Sequence, residues 1–328
     1  MATKVTHILA SMADLVGATT SPGPLTTLIR KLDERGAESN KVGASIAEGF
    51  SASCSLVPAS GTAETTTSEG ASDPDYEDPE VWLENRQSLY EHLTSPYPTA
   101  FGKNVSKADR ELMESPPSTL TYGEIDFKSF SIALNKIRMV YGRPGVGTTP
   151  AGGIMQQPGG VFCDVGSGTG KPSVAAAVCH PFDLVAGVEI LPGLYAVSLQ
   201  LAVRFEEQRS SMSAAATTAG VPEGLLAHNT RLDFACGDGC DFGVYDWRDA
   251  DVCFANSTCF NDALMARVAE AAQSLKKGAF FITLTKKLPS ASFTVLYQKV
   301  FKMSWGGATV FIQQKLTDPV PLEPETKV

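Results

Sequence analysis

The sequence contains no run of eighteen apolar residues, so it offers no membrane-spanning helix. Its opening, "MATKVTHILASMADLVGATT", lacks a charged start followed by a solid apolar core, so no secretory signal is expected. Asp14 and the lack of any Arg before Arg30 argue against a transit peptide. No C-x-x-C occurs among the 7 cysteines, which lie scattered at 54, 163, 179, 236, 240, 253 and 259. Cys236 and Cys240 are four apart with no second ligand pair nearby. Reduced, buried thiols are expected, and neither zinc nor any other metal. No Lys/Arg run exceeds two, so a basic arm for strong intrinsic nucleic-acid binding is missing. The net charge is −9. Most of it comes from residues 1–120, where Asp and Glu outnumber Lys and Arg. Only 4 histidines are present, and none suggests a general base: His180 reads as a helix end, and His228 stands outside every motif.

What the sequence does have is "DVGSGTGKP", Asp164 to Pro172. Three glycines alternate after the apolar run Gly160–Cys163. Two phosphate-binding readings fail. A P-loop needs G-x-x-x-x-G-K-[ST], but Val165 stands where the first glycine belongs and Pro172 follows Lys171. The dinucleotide fingerprint G-x-G-x-x-G fits Gly166 and Gly168 but meets Lys171 at its third position. An acid followed by G-x-G-x-G suits S-adenosylmethionine, whose only charges are an amino-acid head and a sulfonium. Pro172 fits the first turn of the helix that follows. The alternative is a glycine-rich surface loop without a ligand.

Residues 1–72 are rich in Ala, Ser, Thr and Gly. They read as a disordered, low-complexity extension, interrupted at most by a helix in "SPGPLTTLIRKLDERG". Residues 73–142 read as a small helical subdomain. It has one helix starting at Asp78 and Pro79, a second in "SKADRELMES", and a third along "TYGEIDFKSFSIALNKIRMVYG", where apolar residues recur near helical period. Residues 143–160 read as a flexible connection. From 161 to 328 strands and helices alternate. Strands are expected at 161–165, 184–190, 232–236, 252–256 and 279–285, with a closing pair at 293–303 and 308–316. Helices are expected in "SVAAAVCH", "LPGLYAVSLQLAVRFEEQ" and "NDALMARVAEAAQSLKKG". This pattern predicts an α/β fold with a doubly wound sheet, whose ligand lies beyond the carboxyl ends of the strands.

Three strand ends then stand out. Glu189 closes the second strand, 25 positions after Asp164. A carboxylate there can accept both ribose hydroxyls of an adenosine, or it is simply a solvated acid. Asp238, in "CGDG", can accept from an adenine amino group, or it is a turn residue between glycines. Asn256, in "FANSTCF", can orient an incoming amine without ion pairing, or it caps the next helix.

The motifs "TYGEIDF", "VFCDVGSGTGK", "GVEI", "CGDG", "FANSTCF" and "MSW" occur in the order and rough spacing of a known family. Over about residues 118–312 the chain resembles the disruptor-of-telomeric-silencing ("Dot-one") histone lysine methyltransferases in their compact protist form. The resemblance implies a class I, seven-strand methyltransferase fold rather than a SET domain. It implies S-adenosylmethionine as cofactor, S-adenosylhomocysteine as product, a lysine of the histone H3 globular core in nucleosomes as acceptor, and a place in the nucleus as a chromatin regulator. It assigns Tyr122, Gly123 and Glu124 to a loop closing on the methionine part of the cofactor. Asp164, Gly166, Gly168, Gly170 and Lys171 go to the amino-acid end, Glu189 to the ribose and Asp238 to the adenine. Asn256 and Trp305, with Tyr122, flank the methyl group and the lysine channel. Lys171 stands where the family has Gln, Ile125 where it has a hydroxyl residue, and no aromatic follows Asp238. The competing readings are a methyltransferase of the same fold acting on another protein or small molecule, and a non-catalytic S-adenosylmethionine-binding chromatin module.

Overall fold

The computed structural model describes residues 79–219, 229–303 and 305–319. The expected extension 1–72, with its one helix, and the cap Asp78 lie outside the described residues, as does His228.

Three helices precede the sheet. Helix α1, Pro79–Thr94, begins at the expected proline. Helix α2, Thr99–Glu111, starts seven residues before the stretch that suggested it. Pro98 holds the extended conformation of a helix entry. Gly102 is needed there, since a Cβ would lie 2.5 Å from the Tyr122 ring. Helix α3, Phe127–Lys136, is capped by Asp126, whose side chain accepts from the Ser129 amide. Residues 121–126, expected to lead into this helix, carry no helix or strand, and Thr121 and Asp126 at their ends are extended. A π-turn, Ile137–Tyr141, ends α3. Its Tyr141 hydroxyl donates to the Leu296 carbonyl.

The remaining elements alternate as the sequence predicts. They are β1 Val161–Val165, α4 Lys171–Cys179, β2 Leu184–Glu189, α5 Pro192–Ala219, β3 Arg231–Cys236, β4 Val252–Ala255, α6 Asp262–Ala271, β5 Phe280–Leu284, β6 Phe293–Met303 and β7 Gly306–Lys315. Helix α5 runs beyond the expected Gln208 through an Ala- and Ser-rich stretch, since alanine adds helix without needing a partner.

The seven strands order as β3-β2-β1-β4-β5-β7-β6. The first five run parallel, and β7 pairs antiparallel with both β5 and β6. This is the class I methyltransferase sheet. Its winding reverses between β1 and β4, which opens a crevice at their carboxyl ends. Alternate residues feed two cores. Phe162, Phe254, Phe280 and Ile282 face one layer with α1, α3 and α4. Cys163, Cys253, Ala255 and Phe281 face the other, with α6 and Trp247. The α1–α3 region is therefore built into the sheet's own core. Phe130 of α3 sits edge-on to Phe254 at 5.1 Å and to Phe162 at 6.0 Å. Residues 143–160, expected as a flexible connection, carry no helix or strand but are tied down. Thr148 donates to the Lys315 carbonyl, and Gln314 to the Thr149 hydroxyl, while Ile154 is buried. Among the described residues, no helix is long and apolar enough to cross a membrane.

Candidate active site

The glycine loop sets the floor. Gly166, Gly168 and Gly170 all have positive φ, as the tight turn from β1 into α4 demands. Their surroundings differ. A Cβ on Gly168 would collide with the Tyr122 ring at 2.8 Å, and one on Gly170 with Phe234 at 2.9 Å. A Cβ on Gly166 meets only Phe260 at 3.6 Å, so this glycine borders open space. The loop's amides are largely used within the protein. Those of Gly166 and Ser167 donate to the Val188 carbonyl, that of Gly170 to Ser167, and that of Gly168 to Glu189 Oε2 at 2.7 Å. A phosphate cradle needs such amides free, so this is no phosphate-binding loop.

Beside it lies a cavity of about 780 Å³, at the carboxyl ends of β1 to β4. Its walls include Tyr122, Gly123, Glu124, Gly166, Gly168, Glu189, Asp238, Asn256 and Trp305. Asp164, Gly170 and Lys171, expected at the same site, do not line it. Asp164 is fully buried beneath the loop, with Oδ2 accepting from Ser173 at 3.2 Å. Burial raises its carboxyl well above the usual range; the Ser173 hydroxyl works against this, and Glu189 adds repulsion. Gly170 is packed against Phe234 and Ser198. Lys171 is turned inward onto Glu124.

Glu189 reaches the cavity from the end of β2. Its Oε1 accepts from the Leu191 amide at 2.8 Å, while Oε2 holds Gly168. Burial pushes the carboxyl up to about 6, opposed by these amides. Each oxygen keeps a second lone pair for a ligand donor. Asp238 accepts from the Cys240 amide and from Arg267. Burial raises its carboxyl, but the Cys240 amide and Arg267 outweigh it, and the net direction is down. Asp238 is thus an ionised wall residue, not a bare turn acid. Burial pushes the Cys240 thiol, on the same wall, up to about 11, with Asp238 adding to it, which favours the neutral thiol.

The other wall is the segment Tyr122–Glu124. The Tyr122 hydroxyl donates to Glu124 Oε1 and lies 2.8 Å from the Thr169 hydroxyl. Glu124 also accepts from Thr99 at 2.6 Å and from Lys171 Nζ at 2.8 and 2.9 Å. The Gly123 carbonyl accepts from Asn256 Nδ2 at 2.8 Å. Asn256 Oδ1 in turn accepts from Thr258, which Thr285 supports. Asn256 makes no capping bond; Asn261 caps α6 instead, accepting from the Leu264 amide. The Trp305 ring stands about 4 Å from where a Gly123 Cβ would be. Asn256, Gly123 and Trp305 therefore meet at one corner of the cavity.

The sequence reading missed Thr99, Thr169, Thr258 and Arg267, single polar residues that carry no pattern. It also missed Lys103, Lys107 and Arg110 of α2, which line the cavity mouth. Their spacing of four and then three residues on a helix is a signal the sequence does carry. Among the described residues no group of three or more His, Cys, Asp or Glu could hold a metal.

Residues 153–303 match the family described as histone methylation protein DOT1, the disruptor-of-telomeric-silencing class. Over this segment, less than half of the chain, the protein is similar to that family. The DOT1 match spans the glycine loop, Glu189, Asp238 and Asn256, but neither Tyr122–Glu124 nor Trp305. Those residues join the matched segment's site through the Asn256–Gly123 bond and the cavity wall. No curated protein matches the chain. Similar solved structures include the rRNA methyltransferase aviRa from Streptomyces viridochromogenes. It is 11% identical, with 60% of this chain and 87% of that chain covered, at a TM-score of 0.42. TrmN from Thermus thermophilus is 18% identical, with 62% and 55% covered, at 0.35. TrmK from M. capricolum, in complex with S-adenosylhomocysteine, is 9% identical, with 58% and 70% covered, at 0.34. The DOT1 match and the sheet order together make this chain a methyltransferase of the class I fold.

Proposed function

We propose that the protein transfers a methyl group from S-adenosylmethionine to a lysine of the histone H3 core in nucleosomes. The observation that carries this reading is the cavity at the switch of the sheet, beside the segment similar to the DOT1 family, with Gly166 bare toward it and Glu189 at its edge. The residues present fit the cofactor. Glu189 has acceptor capacity for two ribose hydroxyls, Asp238 for an adenine amino group, and the buried Ser167 hydroxyl on the cavity wall has no partner in the protein. Bound there, S-adenosylmethionine supplies a methyl group activated by a sulfonium.

The protein's contribution is placement and exclusion of water. Asn256 and Trp305 hold the corner where the acceptor nitrogen enters, with Tyr122 behind them. An ammonium has no lone pair, so the acceptor must arrive neutral. Lys103, Lys107 and Arg110 at the mouth favour loss of that proton, since nearby cations lower a lysine pKa. The same cations repel a free basic peptide. They suit a histone presented with DNA phosphates beside it, as in a nucleosome, and this supports the nucleosome over free H3 as substrate. This reading implies a place in the nucleus.

Labelled S-adenosylmethionine, offered with purified nucleosomes, free H3 and a nuclear extract in parallel, tests the reading. Label on an H3 lysine, stronger from nucleosomes than from free H3, is expected. Label on another protein alone would move the acceptor elsewhere within the same chemistry. No label in any sample, with the cofactor bound, would make the chain a non-catalytic binding module.

A further inference from the structure

We infer that Lys171 is a positioning residue, whose ion pair with Glu124 holds the segment Tyr122–Glu124 against the glycine loop before any cofactor arrives. The inference rests on reading the cavity as the cofactor site. Lys171 opens α4 directly behind the loop, and its side chain is 7% exposed; that of Glu124 is 12% exposed. A carboxylate offers about four lone-pair sites. Here four contacts fill them: Thr99, Tyr122 and Lys171 twice. Glu124 therefore has no capacity left for a ligand, and its work is structural. The bonds join three places: the start of α2, the start of α4 and the segment between α2 and α3. Tyr122 adds a second tie by reaching across Gly168 to Thr169.

The consequence reaches the reaction corner. With Glu124 anchored, the Gly123 carbonyl stands where Asn256 Nδ2 meets it at 2.8 Å. Glutamine, which the resembled family carries at this position, could donate to Glu124 but brings no charge. Removing the ammonium leaves a buried carboxylate with two hydroxyl donors and no counter-ion, which is strongly unfavourable. The carboxylate then swings toward water or takes a proton, and the segment comes loose.

The test uses the full chain as wild type, Lys171→Gln, Lys171→Met and the double variant Glu124→Gln/Lys171→Met. Three quantities are read: the rate of chymotryptic cleavage after Tyr122 without cofactor, S-adenosylhomocysteine affinity by calorimetry, and melting temperature. Lys171→Met is expected to be cleaved after Tyr122 at least about tenfold faster, with other sites unchanged. Its S-adenosylhomocysteine affinity should fall about tenfold, and saturating S-adenosylhomocysteine should restore resistance. The double variant, which has no buried charge to strand, should recover part of both. Lys171→Gln should show the same changes in milder form and carries the test if Lys171→Met does not fold. Cleavage after Tyr122 at the wild-type rate, or acceleration spread evenly over all sites with a matching fall in melting temperature, would overturn the inference. If the wild type binds no S-adenosylhomocysteine, the cofactor reading fails, while the cleavage rates still decide whether the ion pair holds the segment.

Discussion

Single residues carry most of the chemistry, and they differ in how far the sequence revealed them. Glu189 was legible because a strand-end acid after a glycine loop is a pattern. Asn256 was legible only as a choice between a site residue and a helix cap, and Asn261, not Asn256, makes the capping bond of α6. Lys171 and Asp164 do not line the cavity. Both lie within the motif, yet the chain turns them inward, Lys171 onto Glu124 and Asp164 onto Ser173. Sequence order does not say which side of a loop a side chain takes. Asn256→Ala should lower turnover about 10- to 100-fold, roughly 1.4–2.7 kcal/mol. S-adenosylhomocysteine affinity should fall less, because the amide holds Gly123 and not the adenosine. Turnover, affinity and melting temperature on one preparation decide it; unchanged turnover would take Asn256 out of the reaction corner.

Glu189 also predicts a pH dependence. Burial raises its carboxyl to about 6, above the ordinary range near 4.3. The folded state thus holds this proton more tightly than the unfolded chain does. Its contribution favours folding below the ordinary value and is lost as pH rises through about 6. Binding runs the opposite way, because hydroxyl donors need the ionised carboxylate. S-adenosylhomocysteine affinity should therefore fall as pH drops through about 6. Calorimetry between pH 5.5 and 7.5 measures it, with Glu189→Gln expected to be weak and flat throughout. A wild-type profile as flat as the variant's would remove Glu189 from the ligand.

At the scale of elements, the sheet was read nearly residue by residue. Its central strands β1, β2, β4 and β5 are short, mostly apolar and mostly buried runs, because a parallel sheet is covered on both faces. The helical region was harder. The expected second helix began at Ser106 rather than Thr99, and the apolar period through 121–142 concealed the irregular segment at 121–126. There the Tyr122 and Glu124 side chains bond to Thr99, Thr169 and Lys171, and the Gly123 carbonyl to Asn256, contacts no local pattern records. Helix α3 presses Phe130 onto Phe162 and Phe254 directly under the site. Phe130→Ala should cost about 3–5 kcal/mol, read by urea denaturation. A loss under about 1 kcal/mol would mean that α3 is not part of the sheet's core.

The whole molecule sets an acidic chain, net −9, against a cationic cavity mouth. Lys103 and Lys107 are exposed there, and Lys107 has only a loose pair with Glu111 at 3.6 Å. Their charge is available to a partner, and its effect should weaken with salt. Lys103→Glu/Lys107→Glu should lower kcat/KM on nucleosomes by tenfold or more, with S-adenosylhomocysteine affinity unchanged. Equal activity of variant and wild type from 50 to 200 mM salt would show that the mouth does not meet the partner.

All of this depends on the cavity being the cofactor site, and calorimetric titration of the full chain with S-adenosylhomocysteine tests that most directly. The account predicts one site in the wild type and its loss in Glu189→Ala, with each removed charged hydrogen bond to the ligand costing about 1.5–3 kcal/mol. No binding by the wild type, or wild-type affinity in Glu189→Ala, would contradict it.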